Sequence, residues 1–413
     1  MTHFRDFLFP LDHPRLAGLA DHDATSFADS LHDHPILKSV LADWTELFET
    51  TTFQGITTDG AVVPDLFALG GDEGAPTAAA VAAAEALGEH LGDRRGLLFQ
   101  QLNSKVWRAW MNPEIYLNRF GLRLEEEDDD TVELVHGLMA ASLSESGYQA
   151  VVAVMKTNEF LGTLVGLPRL LNEGSYNINV FGTPSTTEPW GWNLYGHHVC
   201  LNTLFIGGQQ VFTPVFIGAE PIEIDDGPDS GVHLFRGHDT LARELVASMT
   251  PAQAAEAIIY HHKRDPSMPE GRLHPGDELH LGGAFQDNRV IPFEGTRVAD
   301  FSALQRQKLL AVAEEFLHYQ PDGPKRARLE AIASHLDDTW FCWIGGTSPD
   351  SVFYLRIQSP VIMIEFDHHA GIFLANTEPE RFHVHTLVRT PNGNDYGAAL
   401  VKTALGSPQL LDQ

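Results

Sequence analysis

At 413 residues, with 43% hydrophobic and 20% charged residues, the chain has ample core material and length for one large body or two to three average domains. Its 27 Lys and Arg against 56 Asp and Glu give a formal net charge of −29, which repels phosphate backbones and anionic lipid headgroups and argues against nucleic acid and membrane partners. Two cysteines, Cys200 and Cys342, exclude a disulfide framework, no apolar run approaches the ~18 residues of a membrane span, and Asp6, Pro10 and Asp12 break the N-terminus where a leader needs apolar residues, so a cytoplasmic protein is expected.

Residues 1–60 are rich in His and Asp (Asp12, His13, Asp21, His22, Asp23, His32, Asp33, His34), at the irregular spacing of helix caps and surface polars rather than of a ligand set. An amphipathic helix is predicted over 31–48. Turn punctuation at Gly55, Asp59-Gly60 and Pro64 predicts a short strand and hairpin over 52–69. Residues 76–92, PTAAAVAAAEALGEHLG, combine a first-turn proline with alanine, the best helix former. A helix is also predicted over 99–114, where Trp107 and Trp110 would share one face as a core pair or as one wall of a pocket. The acidic run 125–130 reads as a solvated helix start. Two further helices, 130–146 and 148–164, are predicted with Gly147 as the C-cap between them. The chain is therefore expected to divide into a mainly helical part, 1–165, and a sheet-containing part, 166–413, that carries the site within one compact body.

From residue 172 the pattern alternates. Strands are predicted at 176–181 (YNINVF), 197–205 (HHVCLNTLF) and 211–217 (VFTPVFI), the last two joined by a hairpin at Gly207-Gly208, with an edge or bulge at Pro214. A strand over 197–205 sends His197 and His198 to opposite faces, one toward a polar cavity and one into packing. Helices follow at 239–248 and 251–261, then a long loop, 265–289, read as a surface excursion in preference to a lid. After helices at 300–319 and 325–336 come strands at 339–346, 352–358, 361–367 and 382–389, with a turn at Ser359-Pro360 that brings Arg356 beside the carboxylate-bearing strand. The tally is α+β: a largely antiparallel sheet surrounded by helices, with a helical N-terminal third.

Strand alternation then proposes a site. Glu365 and Asp367 share a face, as do His383, His385 and Arg389, with Phe382, Val384 and Val388 opposite. Imidazoles and carboxylates gathered in this way suit a divalent ion, zinc first, with iron, manganese or copper as alternatives, on His197 or His198, Glu365, His385 and His383. Glu365, Asp367 and Arg389 are the expected catalytic residues, Arg356 and Arg389 the partners of an anionic group on a small-molecule substrate, and Trp192, with Trp190 and Tyr195, an aromatic rim. No G-x-S-x-G elbow, dinucleotide fingerprint or phosphate loop is present. The expected function is a metal-dependent hydrolase or lyase. The alternatives are an iron or copper oxidase on the same ligands and a non-enzymatic ligand-binding protein. The oligomeric state stays open, a homodimer included.

GTPSTTEPWGWNLYGHHVCLN (182–202), VFTPVFIGAEP (211–221), WIGG (343–346), FYLRIQSPVIMIEFDHH (353–369) and FHVHTLVRTPNGNDYG (382–397) together resemble the domain of unknown function 3500 family, over about 44–397. The resemblance implies no activity. It implies Asn where this chain has His383, and an acidic residue plus Asn where it has Asp367-His368, which moves the weight to Glu365, Asp367, His385 and the His197-His198 pair.

Overall fold

Eight strands whose alternate side chains are mostly apolar give the chain its frame: β1 (Tyr176–Phe181), β2 (Trp190–Gly196), β3 (Val199–Ile206), β4 (Val215–Ala219), β5 (Trp340–Gly345), β6 (Phe353–Gln358), β7 (Met363–His368) and β8 (Val384–Arg389). A computed structural model describes residues 3–34, 37–406 and 411. Among them the strands lie in the order β1-β2-β3-β4-β8-β7-β6-β5, each antiparallel to its neighbours, so that two meanders meet where β4 pairs β8. Five strands of two or three residues complete a 13-stranded sheet, and Phe99–Gln100 and Ile258–Tyr260 join it in parallel. The fold is α+β with a mostly antiparallel sheet and a helical N-terminal region.

The two faces of the sheet are covered differently. One face carries Ile178, Val180, Trp190, Trp192, Leu194, Val199, Leu201, Ile217, Ile364, Phe366, Leu355 and Val388, all buried in the main core. Against it pack α1 (Thr77–Leu91), α2 (Asp129–Ser142), α3 (Glu145–Val165), α4 (Arg236–Ala247) and α5 (Ala303–Phe316), through residues such as Ala84, Leu138, Val151, Leu245 and Val312. Local signals fix these helices. Asp128 caps α2 by accepting from Thr131 N, Ser302 and Gln305 form a capping box at α5, and Gly166 ends α3 at a φ of 73°.

The other face runs through Asn177, Asn179, Asn193, Cys200, Asn202, Gly218, His385, Arg389, Glu365, Asp367, Tyr354, Arg356 and Gln358, all buried. It is covered mostly by irregular chain: residues 105–116, residues 276–293, the helix Leu37–Thr50 and the C-terminal stretch.

Several local expectations change. Residues 99–114 are not a helix; only the turn Lys105–Arg108 is helical, because the stretch lies flat on the polar face, with Trp107 stacked on Phe181 at 3.8 Å and Trp110 Nε1 donating to Tyr396 Oη at 2.9 Å. The hairpin expected at 52–69 is only an isolated bridge between Thr57 and Val290. Gly147 is no C-cap: it sits in the first turn of α3 and donates to the capping Ser144 Oγ, where an added Cβ would meet Tyr319 Cα at 2.5 Å. The helix predicted over 31–48 forms as Leu37–Thr50 after a separate helix, Ala24–Leu31; residues 35–36 lie outside the described residues. In the N-terminal His and Asp tract, His3, His13 and Asp23 are caps that accept backbone N–H groups. No described helix is long and apolar enough to cross a membrane.

Candidate metal centre

The sheet register brings the strand-borne candidates together in pairs. Asp367 lies opposite His385, and His385 lies opposite Gly218 across the seam between the meanders. His198 arrives differently. β3 starts at Val199, so His197 and His198 form the tight turn after Gly196 instead of opening a strand, with His198 at a φ of 63°. That left-handed residue turns its ring toward β8, and its N–H is held by Asn112 O at 3.1 Å. Gly218 leaves the room: a Cβ there would lie 2.8 Å from His385 Cδ2 and 2.9 Å from His198 Cδ2.

Three imidazoles consequently point Nε2 at one another. His385 Nε2 is 3.0 Å from His383 Nε2 and 3.1 Å from His198 Nε2, and the three residues are 0–5% exposed. His383 Nδ1–H donates to Ala370 O at 2.7 Å, which leaves its Nε2 with a lone pair. His385 Nε2 has a single in-plane site and cannot satisfy both neighbours, and His385 Nδ1 has no hydrogen-bond partner among the described residues. Burial, followed by the neighbouring imidazoles, holds His198 and His385 well below the ordinary imidazole value, so both are neutral near pH 7. With metal–nitrogen distances of about 2.1 Å, nitrogens 3.0–3.1 Å apart subtend roughly 90–95° at a shared ion, a fit for one cation on three imidazoles.

A second group adjoins it. The His369 ring lies 3.7 Å from that of His385, and His369 Nε2 is 3.2 Å from Asp367 Oδ2. Asp367 Oδ1 pairs with Lys263 Nζ at 2.6 Å, and the same ammonium donates to His368 O and lies 3.5 Å from Glu278 Oε2. Burial pushes the Asp367 carboxyl up to about 7 against the pull of Lys263. For Glu278 burial also acts upward, but Lys263, the Ala370 N–H and Arg264 prevail and hold it below the usual value. His280, 1% exposed, lies 6.0 Å from His369 and 6.2 Å from His385 by ring centroids, with neither nitrogen hydrogen-bonded among the described residues.

A family model described as "Protein of unknown function (DUF3500)" matches residues 73–398. The chain belongs to this family. No curated protein and no solved structure matches the DUF3500 chain.

Of the predicted ligands, the DUF3500 chain brings His198, His383 and His385 to one point. His197 stands aside: its ring stacks on His198 at 3.8 Å, its Nδ1–H donates to Asn158 Oδ1 at 2.8 Å, and burial with His383 lowers it to about 3. Glu365 does not join the imidazoles. It accepts from Leu281 N at 2.8 Å, Gly282 N at 2.9 Å and Tyr354 Oη at 2.6 Å. Burial acts upward on this carboxyl, and His280, Tyr354 and Arg356 outweigh it and keep it below its usual value.

The expected substrate-binding arginines serve the covering chain. Arg389 donates to Gly282 O at 2.8 Å and Gly283 O at 2.9 Å and pairs with Asp287 at 2.7 Å and Asp395 at 3.1 Å. Asp287 also pairs with Arg108 at 2.9 Å. Arg356 donates to Pro292 O at 3.1 Å and pairs with Glu294 at 2.8 Å. Trp192 is on the opposite face, fully buried, with Nε1 donating to Ser142 Oγ at 2.9 Å, so it forms no rim; Trp190 shares that face. The loop read as a surface excursion covers the polar face through Leu279, Leu281 and Gly282. Lys263, Glu278 and His280, missed from sequence, come from that loop and its flanks, where no period marks them, and His369 follows the end of β7.

Proposed function

We propose that this protein is a metal-dependent enzyme acting on a small organic molecule, with a divalent ion on the Nε2 atoms of His198, His383 and His385 and hydrolysis as its reaction. The convergence of His383 Nε2 and His198 Nε2 on His385 Nε2, at 3.0 and 3.1 Å, where that nitrogen can satisfy only one of them, carries this reading. An all-imidazole set, with Glu365 committed to backbone N–H groups, suits zinc, which acidifies a bound water toward neutrality and polarises a carbonyl. His369 is the proton acceptor in this reading, oriented by Asp367, which Lys263 holds in turn. Substrate approaches past Ala370, which supplies the carbonyl partner of His383 and is only half-buried, beside Ile372, which is 50% exposed.

A second reading keeps the ligands and changes the ion. The two angles of roughly 90–95° between His385 and its neighbours are those of adjacent octahedral positions, which favours iron(II) with open positions and therefore oxygen chemistry. The test is a screen of chelator-stripped protein reloaded with zinc or with iron(II) under air, against small esters, lactones and amides, with oxygen uptake followed in parallel. Zinc-dependent turnover abolished in His383→Ala supports hydrolysis. Oxygen uptake with iron alone moves the assignment to the second reading. Inactivity with either ion while both bind assigns a binding centre instead.

A further inference from the structure

Away from the three-imidazole centre, on the helix-covered side of the sheet, we propose a second and independent metal site, on His238 of α4 and Glu315 and His318 at the end of α5, taking a divalent ion of the zinc class. Ligand atoms from the three residues lie within 4.8 Å of one another. Glu315 and His318 are three apart, the spacing that puts both on one side of a helix end, facing α4.

His238 is the observation that asks for a ligand. It is 3% exposed, and neither ring nitrogen has a hydrogen-bond partner among the described residues. Its ring is boxed by Phe235 at 5.6 Å and Phe316 at 4.6 Å, both edge-on, and its Nδ1 lies 3.5 Å from Glu315 Oε1, too long for a good hydrogen bond and suited to two atoms on one ion. A buried imidazole with two unsatisfied nitrogens is costly, and a bound cation relieves one of them. His318 is prepared as a ligand: its Nδ1–H donates to Glu315 O at 2.6 Å, which leaves the Nε2 lone pair free. The charged groups that face the site are Glu315 and, more distantly, Lys325, which pairs with Asp322 at 3.2 Å. The close approach of α4 depends on Gly237, where a Cβ would fall 2.0 Å from Glu315 Oε1. The Glu315 side chain is 32% exposed, so an ion enters from solvent without any loop opening. Two imidazoles and one carboxylate, with water in the fourth position, form a common zinc set, and an ion there ties α4 to α5 over the apolar face.

The test uses full-length, tag-free protein stripped by chelator and titrated with zinc chloride alone, by calorimetry and by thermal melting, for the wild type, Glu315→Gln, His318→Ala and His385→Ala. Both changes at the proposed site fall on partly exposed residues, and metal-free melting and circular dichroism check that the fold is kept. The expected result is one equivalent fewer in Glu315→Gln and in His318→Ala than in the wild type, or binding at that equivalent weakened more than tenfold, with a smaller zinc-induced rise in Tm. His385→Ala should retain this equivalent, so the two centres stand or fall separately. Equal stoichiometry and affinity in the wild type and both α5 variants would overturn the site and leave His238 an unsatisfied core imidazole.

Discussion

The two faces of one sheet solve the burial problem by opposite means. On the apolar face, Trp192, Ile364 and Val388 meet helices whose backbone groups are already satisfied, so contact is mainly dispersion and hydrophobic burial, with the Trp192 Nε1–Ser142 Oγ hydrogen bond added. On the polar face the covering chain is irregular, and its N–H and C=O groups have no helix or strand to pair with. Strand side chains supply the partners: Asp367 accepts from Leu279, Glu365 from Leu281 and Gly282, Arg389 donates to Gly282 and Gly283, Gln358 to Ile291 and Arg356 to Pro292. Buried polar residues on a strand thus need not be catalytic, because they hold a loop where others hold a helix. The three imidazoles stand out because their partners are each other.

The largest effects should separate the loop-holding residues from the rest. Arg389→Ala leaves Asp395 without a cation in the interior and Asp287 with Arg108 alone, and should cost about 3–5 kcal/mol in chemical denaturation. Trp192→Ala should cost about as much by leaving a cavity among the helices, yet leave metal affinity unchanged, which a wall residue of the site could not do. Glu365→Gln keeps the shape and loses the charge that receives two N–H groups; about 1–3 kcal/mol and faster proteolysis within residues 276–293 are expected.

Smaller effects sharpen the contrast further. In metal-free protein His198, His368, His369 and His385 are held neutral, well below the ordinary imidazole value, by burial first and neighbouring cations or imidazoles second. The unfolded chain protonates them below about pH 6.5 and the fold does not, so stability should fall as pH drops, by up to ~1.4 kcal/mol per pH unit for each imidazole. Asp367 and Asp395, raised by burial to about 7 and about 6, act in the opposite sense over the same interval and reduce the slope without reversing it. Melting curves from pH 7 to 5, with and without zinc, measure the sum. Gly218→Ala, the smallest change, pushes on two rings at once and should weaken zinc binding about tenfold with little loss of secondary structure.

Much of this frame was legible in the sequence because strands on a two-sided sheet declare themselves by period. The strands at 361–367 and 382–389 and the shared face of His383 and His385 follow from alternation, and the Arg356 neighbour follows from the turn at Ser359-Pro360. What alternation gives is a face; it does not give a partner. Glu365 was expected on a metal because it shares a face with Asp367, and its acceptors' true partners are N–H groups of a loop more than 80 residues away in sequence. The strand expected from residue 197 starts at Val199 for a backbone reason: a non-glycine residue, His198, at positive φ turns the chain there. Trp107 and Trp110 have helical spacing, but their partners Phe181 and Tyr396 belong to other segments, and those contacts override local preference. Lys263, His280 and His369 carry no periodic signal at all.

The most direct measurement is the metal content of tag-free protein purified without chelator, wild type beside His385→Ala, together with zinc-edge X-ray absorption of the wild type. One equivalent should be lost on removing the His385 ring, and the wild type should show an imidazole-rich shell at about 2.0–2.1 Å. Equal metal content in the two proteins, or a shell dominated by oxygen, would contradict the three-imidazole centre.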